Sequence, residues 1–175
     1  MKEQTHNFGD GNGPVPAHRH IKGNGWVADT ANVHNSAYIG EDALVYGNAL
    51  VYGNALVSGD ALVHDNALVY GNARVYGDAW VSGSARVYGN VLVYGDARVS
   101  GNALVKRGVY TSTPTSITRS DGYMFTLQSD GSIVAGCRDF TPDEAKAHWG
   151  NPEHHKHRES MAIVTALNAI AAERQ

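Results

Sequence analysis

Nine histidines and a single cysteine carry most of the reactive side chains in this 175-residue sequence, and their spacing decides what they could do. His148, His154, His155 and His157 crowd one region, with Cys137 a short way upstream. His154 and His157 are three apart, which on a helix puts both on one face, a spacing that a metal ion can use. No four-ligand motif accompanies them, and a histidine-rich first helical turn is solvated, so neither metal nor cofactor is expected. Nothing places a general base beside Cys137, which reads as a small buried residue rather than a nucleophile. His18 and His20, in the run "HRH", belong to a stretch rich in Gly, His and Pro with no period. Residues 1–24 therefore read as a mobile arm. His34 and His64 stand singly inside a repeat, and the repeat has to be understood before their chemistry can be.

That repeat is plainest from Ala43 to Asp60, where "ALVYGNALVYGNALVSGD" states one hexad three times. Valine or isoleucine recurs every six residues from Val27 to Val105, with a small residue four places after each, from Ala31 through Ala103 to Val109. Within "ALVY" the side chains alternate, so Ala and Val point one way while Leu and Tyr point the other. "GN" or "GD" then supplies residues that tolerate the positive φ of a tight corner. A strand and a corner repeated at constant length wind a solenoid with Val and Ala inside. The solenoid is expected over residues 25–110, and a different module over residues 111–175.

The hexads "VADTAN", "VHNSAY" and "IGEDAL" resemble the hexapeptide repeat of the left-handed parallel β-helix. In that pattern an aliphatic residue is followed by a small or acidic one, and a small residue stands at the fifth place. Later hexads carry Tyr, Ser or His at the second place and are similar to the "VYGNA" subtype common in phage and prophage proteins. The resemblance implies the handedness, three hexads to a triangular coil, and so four to five coils. The expected fold is mainly β, with this solenoid followed by a small α+β module.

With 18 residues to a coil, outward residues stack on their counterparts in the next coil. One face then carries Trp26, Leu44, Leu62 and Trp80, flanked by Tyr46 and His64. Unbroken ladders of leucine and tryptophan mark an interface, so these six residues are the expected oligomer contact. The resemblance implies a homotrimer around a threefold axis. On a second face Tyr52, Tyr70 and Tyr88 stack. Their ladder follows from β-propensity and cross-coil packing, and it is also the candidate platform for a planar ligand.

The C-terminal stretch reads as strands at Ile117 to Arg119, Tyr123 to Leu127 and Ser132 to Ala135, separated by "DG" turns. Thr141, Pro142 and Glu144 form a capping box that opens a helix closed by Gly150. A second helix is expected from Asn151 and Pro152, with Met161, Val164, Leu167 and Ala171 as its apolar stripe, widened by Ile163 and Ile170. This segment resembles a C-terminal module of phage proteins, through Gly136, Cys137, Thr141, Glu144, Gly150, Asn151, Glu153 and His154. The resemblance implies a phage or prophage source and no particular reaction.

A formal charge of −3 gives no electrostatic reason to expect nucleic-acid binding. No segment approaches membrane-spanning length, and the N-terminal stretch lacks the apolar run of a signal peptide, so a cytosolic location is expected, the host cytosol if a phage encodes the protein. Acyl transfer is the best-known activity of hexapeptide helices, and it needs a general base near the acceptor. His64 and His34 are the solenoid's candidates, yet no inserted loop interrupts the hexads to build a pocket around either. The expectation is a non-enzymatic oligomer that binds a host protein or small ligand, as an anti-defence inhibitor or a sequestering protein. An acyltransferase and a structural virion component are the alternatives.

Overall fold

The computed structural model describes residues 4–136 and 138–174, and the expectation for Cys137 falls outside them. A hairpin of β1 (Thr5–Asn7) and β2 (Pro14–Arg19) leads into β3 (Trp26–Ala28). Strands β4 to β17 follow as short rungs, from Asn32–Val33 to Val109–Tyr110. The rungs β3 to β17 stack in parallel into three sheets, each contributing five rungs, so the solenoid has five coils. Rungs of the first four coils bond to the coil that follows: Leu50 N–H donates to Ala67 O at 2.9 Å and Tyr52 N–H to Val69 O at 3.0 Å. No helix among the described residues is long and apolar enough to cross a membrane.

Inside, the repeated valines and alanines form one column, from Val27 to Val105, with almost no exposure except at the partly buried Ala31 and Val33 of the first coil. Alanine at the second inward position lets three walls close around valine without a void. The corners are where glycine is required. Gly53 has φ of 74°, and a Cβ there would stand 2.9 Å from the Gly71 nitrogen of the coil below. Asp65 takes this glycine slot once, at φ of 60°, a conformation that aspartate tolerates better than most residues.

The hexad does slip, once, at its end. Val109 pairs with Leu92 and Tyr110 with Val93, one residue short of the offset that pairs Leu92 with Arg74. Val109, expected inside as the small residue, is therefore exposed, and Tyr110 turns in and is buried. Its hydroxyl donates to Gln128 Oε1 at 3.1 Å and accepts from Ser129 N–H at 3.2 Å. Burial pushes the Tyr110 phenol far above its ordinary range.

The C-terminal module is an antiparallel meander of β18 (Ser116–Thr118), β19 (Met124–Leu127), β20 (Ile133–Ala135) and β21 (Arg138–Phe140). Two helices, α1 (Pro142–Trp149) and α2 (His157–Glu173), cover it, burying Phe125, Leu127, Trp149, Val164 and Leu167 together. The capping box of Thr141 and Glu144 is present. The second helix starts later than Asn151, because Asn151 Oδ1 accepts Glu153 N–H and closes a separate turn. Lys156, at φ of 61°, then redirects the chain into α2. Side chains of this module satisfy the last rung of the second face, β16 (Leu104–Val105): Lys106 N–H donates to Gln128 Oε1 at 3.2 Å, and Gln128 Nε2 donates to Leu104 O at 3.0 Å.

The first residues are not a free arm. Strand β2 pairs antiparallel with β3, and the loop through residues 20–25 lies on β5 (Tyr38–Ile39), with Gly25 N–H donating to Ile39 O at 2.9 Å. His20, set aside as part of a mobile segment, is 4% exposed inside that loop. The order has a physical cause: the first coil would otherwise leave open strand edges and an uncovered core.

Val69 and Tyr70 are adjacent but face opposite ways, which yields a direct test. Val69→Asp puts an unpaired carboxylate in the valine column and should cost roughly 4 kcal/mol or more. Tyr70→Ser should cost about 1 kcal/mol or less, since only cross-coil packing is lost. Denaturant midpoints of the two variants check this, and equal values would overturn the inward and outward assignment.

Candidate functional site

The six expected contact residues divide into two groups once the hairpin is in place. Trp26 has the His6 ring stacked on it at 4.5 Å and the Arg19 guanidinium over it at 4.2 Å. Phe8, 6% exposed, stacks on Tyr46 at 5.0 Å, and Leu44 packs against the cluster of Phe8, Ala17 and Ala28. The exposed ladder expected at Trp26, Leu44 and Tyr46 is thus corrected: the chain covers it with its own hairpin. Phe8 occupies the outward slot that Ala28 leaves empty, continuing the Tyr46–His64 stack by one ring. Alternation of Val15 and Ala17 after the turn "GDGNG" was the available sequence signal for this hairpin. Farther along the face, Leu62 is half-buried and Trp80 is 38% exposed, with Arg98 over its ring at 4.6 Å.

His64 sits between these groups. Its ring lies parallel to Tyr46 at 4.8 Å, and Nδ1 stands 3.2 Å from Asp65 Oδ1. A carboxylate can only accept, so the proton between the two groups belongs to Nδ1. Asp65 also accepts Gly83 N–H at 3.0 Å, and this bond and then His64 hold its carboxyl below the usual range. Nε2 is enclosed and has no partner among the described residues. A general base needs that nitrogen open to an acceptor, and here it faces packed side chains. His34 is exposed, and among the described residues its ring bonds Ser36 alone, with no carboxylate to orient it.

Tyr52, Tyr70 and Tyr88 stack at 4.8 and 4.7 Å with interplanar angles of 7° and 2°. The ring faces are spent on one another, so no planar ligand stacks between them without opening the ladder. What they present instead is a row of hydroxyl edges, which bond no protein group among the described residues. Burial, and then each other's proximity, raises the Tyr70 phenol above its ordinary value. At the adjoining corner Asn54, Asn72 and Asn90 form a second ladder, Nδ2 to Oδ1, at 3.3 and 3.0 Å.

A cleft of about 340 Å³ opens where the second solenoid face meets the C-terminal sheet. Ser84, Arg86, Asn102 and Leu104 line one side, and Tyr123, Met124, Thr126 and Val134 the other. The turn that carries Tyr123 is fastened to α2. Arg119 donates to both Asp121 oxygens at 2.9 and 2.7 Å and to the buried Ser160 hydroxyl at 2.9 Å. Ser120 donates from its backbone and hydroxyl to Glu159 at 2.6 and 2.7 Å. The guanidinium holds the Asp121 carboxyl far below the usual carboxylate range. Sequence reasoning did not find this cleft, because its walls are distant in sequence and neither contains a motif.

The C-terminal histidines are not convergent. His157 Nδ1 donates to Trp149 O at 2.6 Å, and His154 Nδ1 to His155 O at 2.8 Å. His154 lies in the turn before α2, not on one helical face with His157. Among the described residues no group of three potential ligands could hold a metal ion.

Four stretches of the solenoid, residues 43–59, 51–65, 67–83 and 85–101, match the YdcK beta solenoid repeat family. The repeats are those of a β-solenoid. They fall within the stacked rungs, whereas the hairpin, the cleft's C-terminal wall and both helices lie beyond the matched residues. No curated protein and no solved structure matches the chain.

Asp121 provides a pH test of the turn. Its folded carboxyl titrates below its unfolded value, so the stabilisation is full above that unfolded value and is lost as pH falls toward the folded one. The melting temperature of the native protein should therefore drop more steeply between about pH 5 and about pH 3 than that of Asp121→Asn. Calorimetry over that range checks the slope, and parallel curves would remove Arg119–Asp121 as the fastening.

Proposed function

We propose that the protein is a non-enzymatic, homotrimeric binding protein of phage or prophage origin, acting in the host cytosol on a host protein or small ligand as an inhibitor or sequestering agent. The observation that supports this reading best is the outward apolar surface on an unbroken solenoid. Trp80, Leu50 and Tyr52 are 38%, 37% and 41% exposed, and all fifteen rungs from β3 to β17 succeed one another without an extruded loop. Such a surface favours association, whereas no loop is extruded from the described rungs to shape an acyl-transfer pocket. The phage origin rests on the resemblance of the hexads and of the C-terminal motif.

The hairpin narrows the contact to the part of the first face that it leaves open, Leu62 and Trp80 with His64 at the border. Burying such side chains is worth about 1.5–3 kcal/mol each before the cost of association. Light scattering should give three times the 18.7 kDa chain mass. Leu62→Glu with Trp80→Glu should dissociate the trimer. Trp26→Glu should leave the mass unchanged and lower the melting temperature, because it strikes beneath the hairpin. A native monomer at micromolar concentration would sink the assembly.

The non-enzymatic part is tested separately. Incubation with acetyl-CoA and common amine or hydroxyl acceptors should release no CoA above the uncatalysed rate. Steady release that His64→Ala abolishes would make the protein an acyltransferase.

A further inference from the structure

Around the seam between solenoid and C-terminal module several cations are occupied by partners, Arg98 by the Trp80 ring and Arg174 by the Thr115 hydroxyl. Lys106 meets Asp139 at 2.6 Å, Arg107 also pairs with Asp139, and Arg119 pairs with Asp121. Arg86, at the mouth of the 340 Å³ cleft, has no carboxylate partner among the described residues. It projects from the same rung as Tyr88 and lies near enough to Tyr70 to oppose, in small part, the rise in that phenol's pKa.

Around this guanidinium the cleft is built in two halves. On its polar side the hydroxyl of Ser84 and the amide of Asn102 bond no protein group among the described residues. On its apolar side stand Leu104, Met124, Val134 and the Tyr123 ring. The Tyr123 wall is stiff. Arg119 lies over the ring at 4.9 Å, and Gly136 packs so close to the hydroxyl that a Cβ would stand 2.6 Å from it. Gly136 also has φ of 60°, so both space and backbone exclude a larger residue there.

We propose that this cleft binds a small organic anion, a carboxylate or phosphate carried on a flat apolar body. The guanidinium fork matches two oxygens of such a group, Ser84 and Asn102 supply further hydrogen bonds, and the apolar body lies against Leu104, Met124 and Tyr123. The volume falls at the small end of ligand sites, which span roughly 300–1,000 Å³. The lining shares no residue with the contact proposed at Leu62, His64 and Trp80, so the site goes beyond the assembly reading and does not depend on it.

Titration calorimetry with benzoate and adenosine 5′-monophosphate tests the proposal, with benzyl alcohol and adenosine as the matched neutral compounds. At least one anion should bind saturably and more tightly than its neutral counterpart, benzoate indicating a carboxylate source and the nucleotide a phosphate one. Arg86→Ala should weaken binding at least about tenfold. Ser84→Trp, which fills the cleft from its exposed rim, should abolish it. Arg74→Ala removes a guanidinium outside the cleft that has no carboxylate partner among the described residues, and should change nothing. Absence of saturable heat for both anions up to about 5 mM, equal binding of the neutral compounds, or unchanged binding by Arg86→Ala would each overturn the site. Light scattering on the same samples reports the assembly independently, so the two readings fail separately.

Discussion

Each coil of this solenoid must sit directly beneath the next at the spacing of a hydrogen-bonded rung, about 4.8 Å. From that constraint most of the molecule follows. A corner backbone held so close to its neighbour has no room for a Cβ, which is why Gly53 lies against Gly71. The interior admits one branched and one small residue per rung, which is why Val and Ala alternate down the column. Outward side chains are forced into register with their counterparts, so the tyrosines stack face to face and the asparagines link amide to amide.

A stack of this kind has two ends, and its repeat cannot close either. At the N-terminal end the hairpin and the loop through residues 20–25 occupy strand edges, with His20 buried in the loop. At the C-terminal end a one-residue slip turns Tyr110 inward, and Gln128 reaches back to bond the final rung. Both caps are also what shape the surface. The hairpin partly covers Trp26 and Tyr46, and the C-terminal sheet turns a flat solenoid face into a cleft beside Arg86. The features that distinguish this surface from a plain solenoid are therefore concentrated where the repeat stops.

Stacking also limits chemistry. His64 has the oriented imidazole and carboxylate of a general base, but its free nitrogen is closed in by the same packing that keeps the ladder in register. The tyrosine ladder loses its ring faces for a similar reason. Polar edges, exposed apolar side chains and guanidinium groups are what the ladders leave open to solvent.

The hexad by itself determined the solenoid, its inward column and its glycine corners, because a period that sets backbone geometry is written into every repeat from Val27 to Val105. It likewise determined the first C-terminal helix, where Thr141 and Glu144 are local partners three residues apart. Tertiary structure alone decided the rest. Phe8 finds Tyr46, Gln128 finds Tyr110 and Leu104, and Ser84 and Arg86 find Tyr123 across long stretches of intervening chain. The slip at Tyr110 was hidden by Val109, a residue small enough to pass as the next inward position until the capping sheet gave the tyrosine a buried hydrogen bond. Periodicity reports what a residue does to its neighbours in the repeat. It says nothing of what covers the ends, because those contacts join segments that share no period.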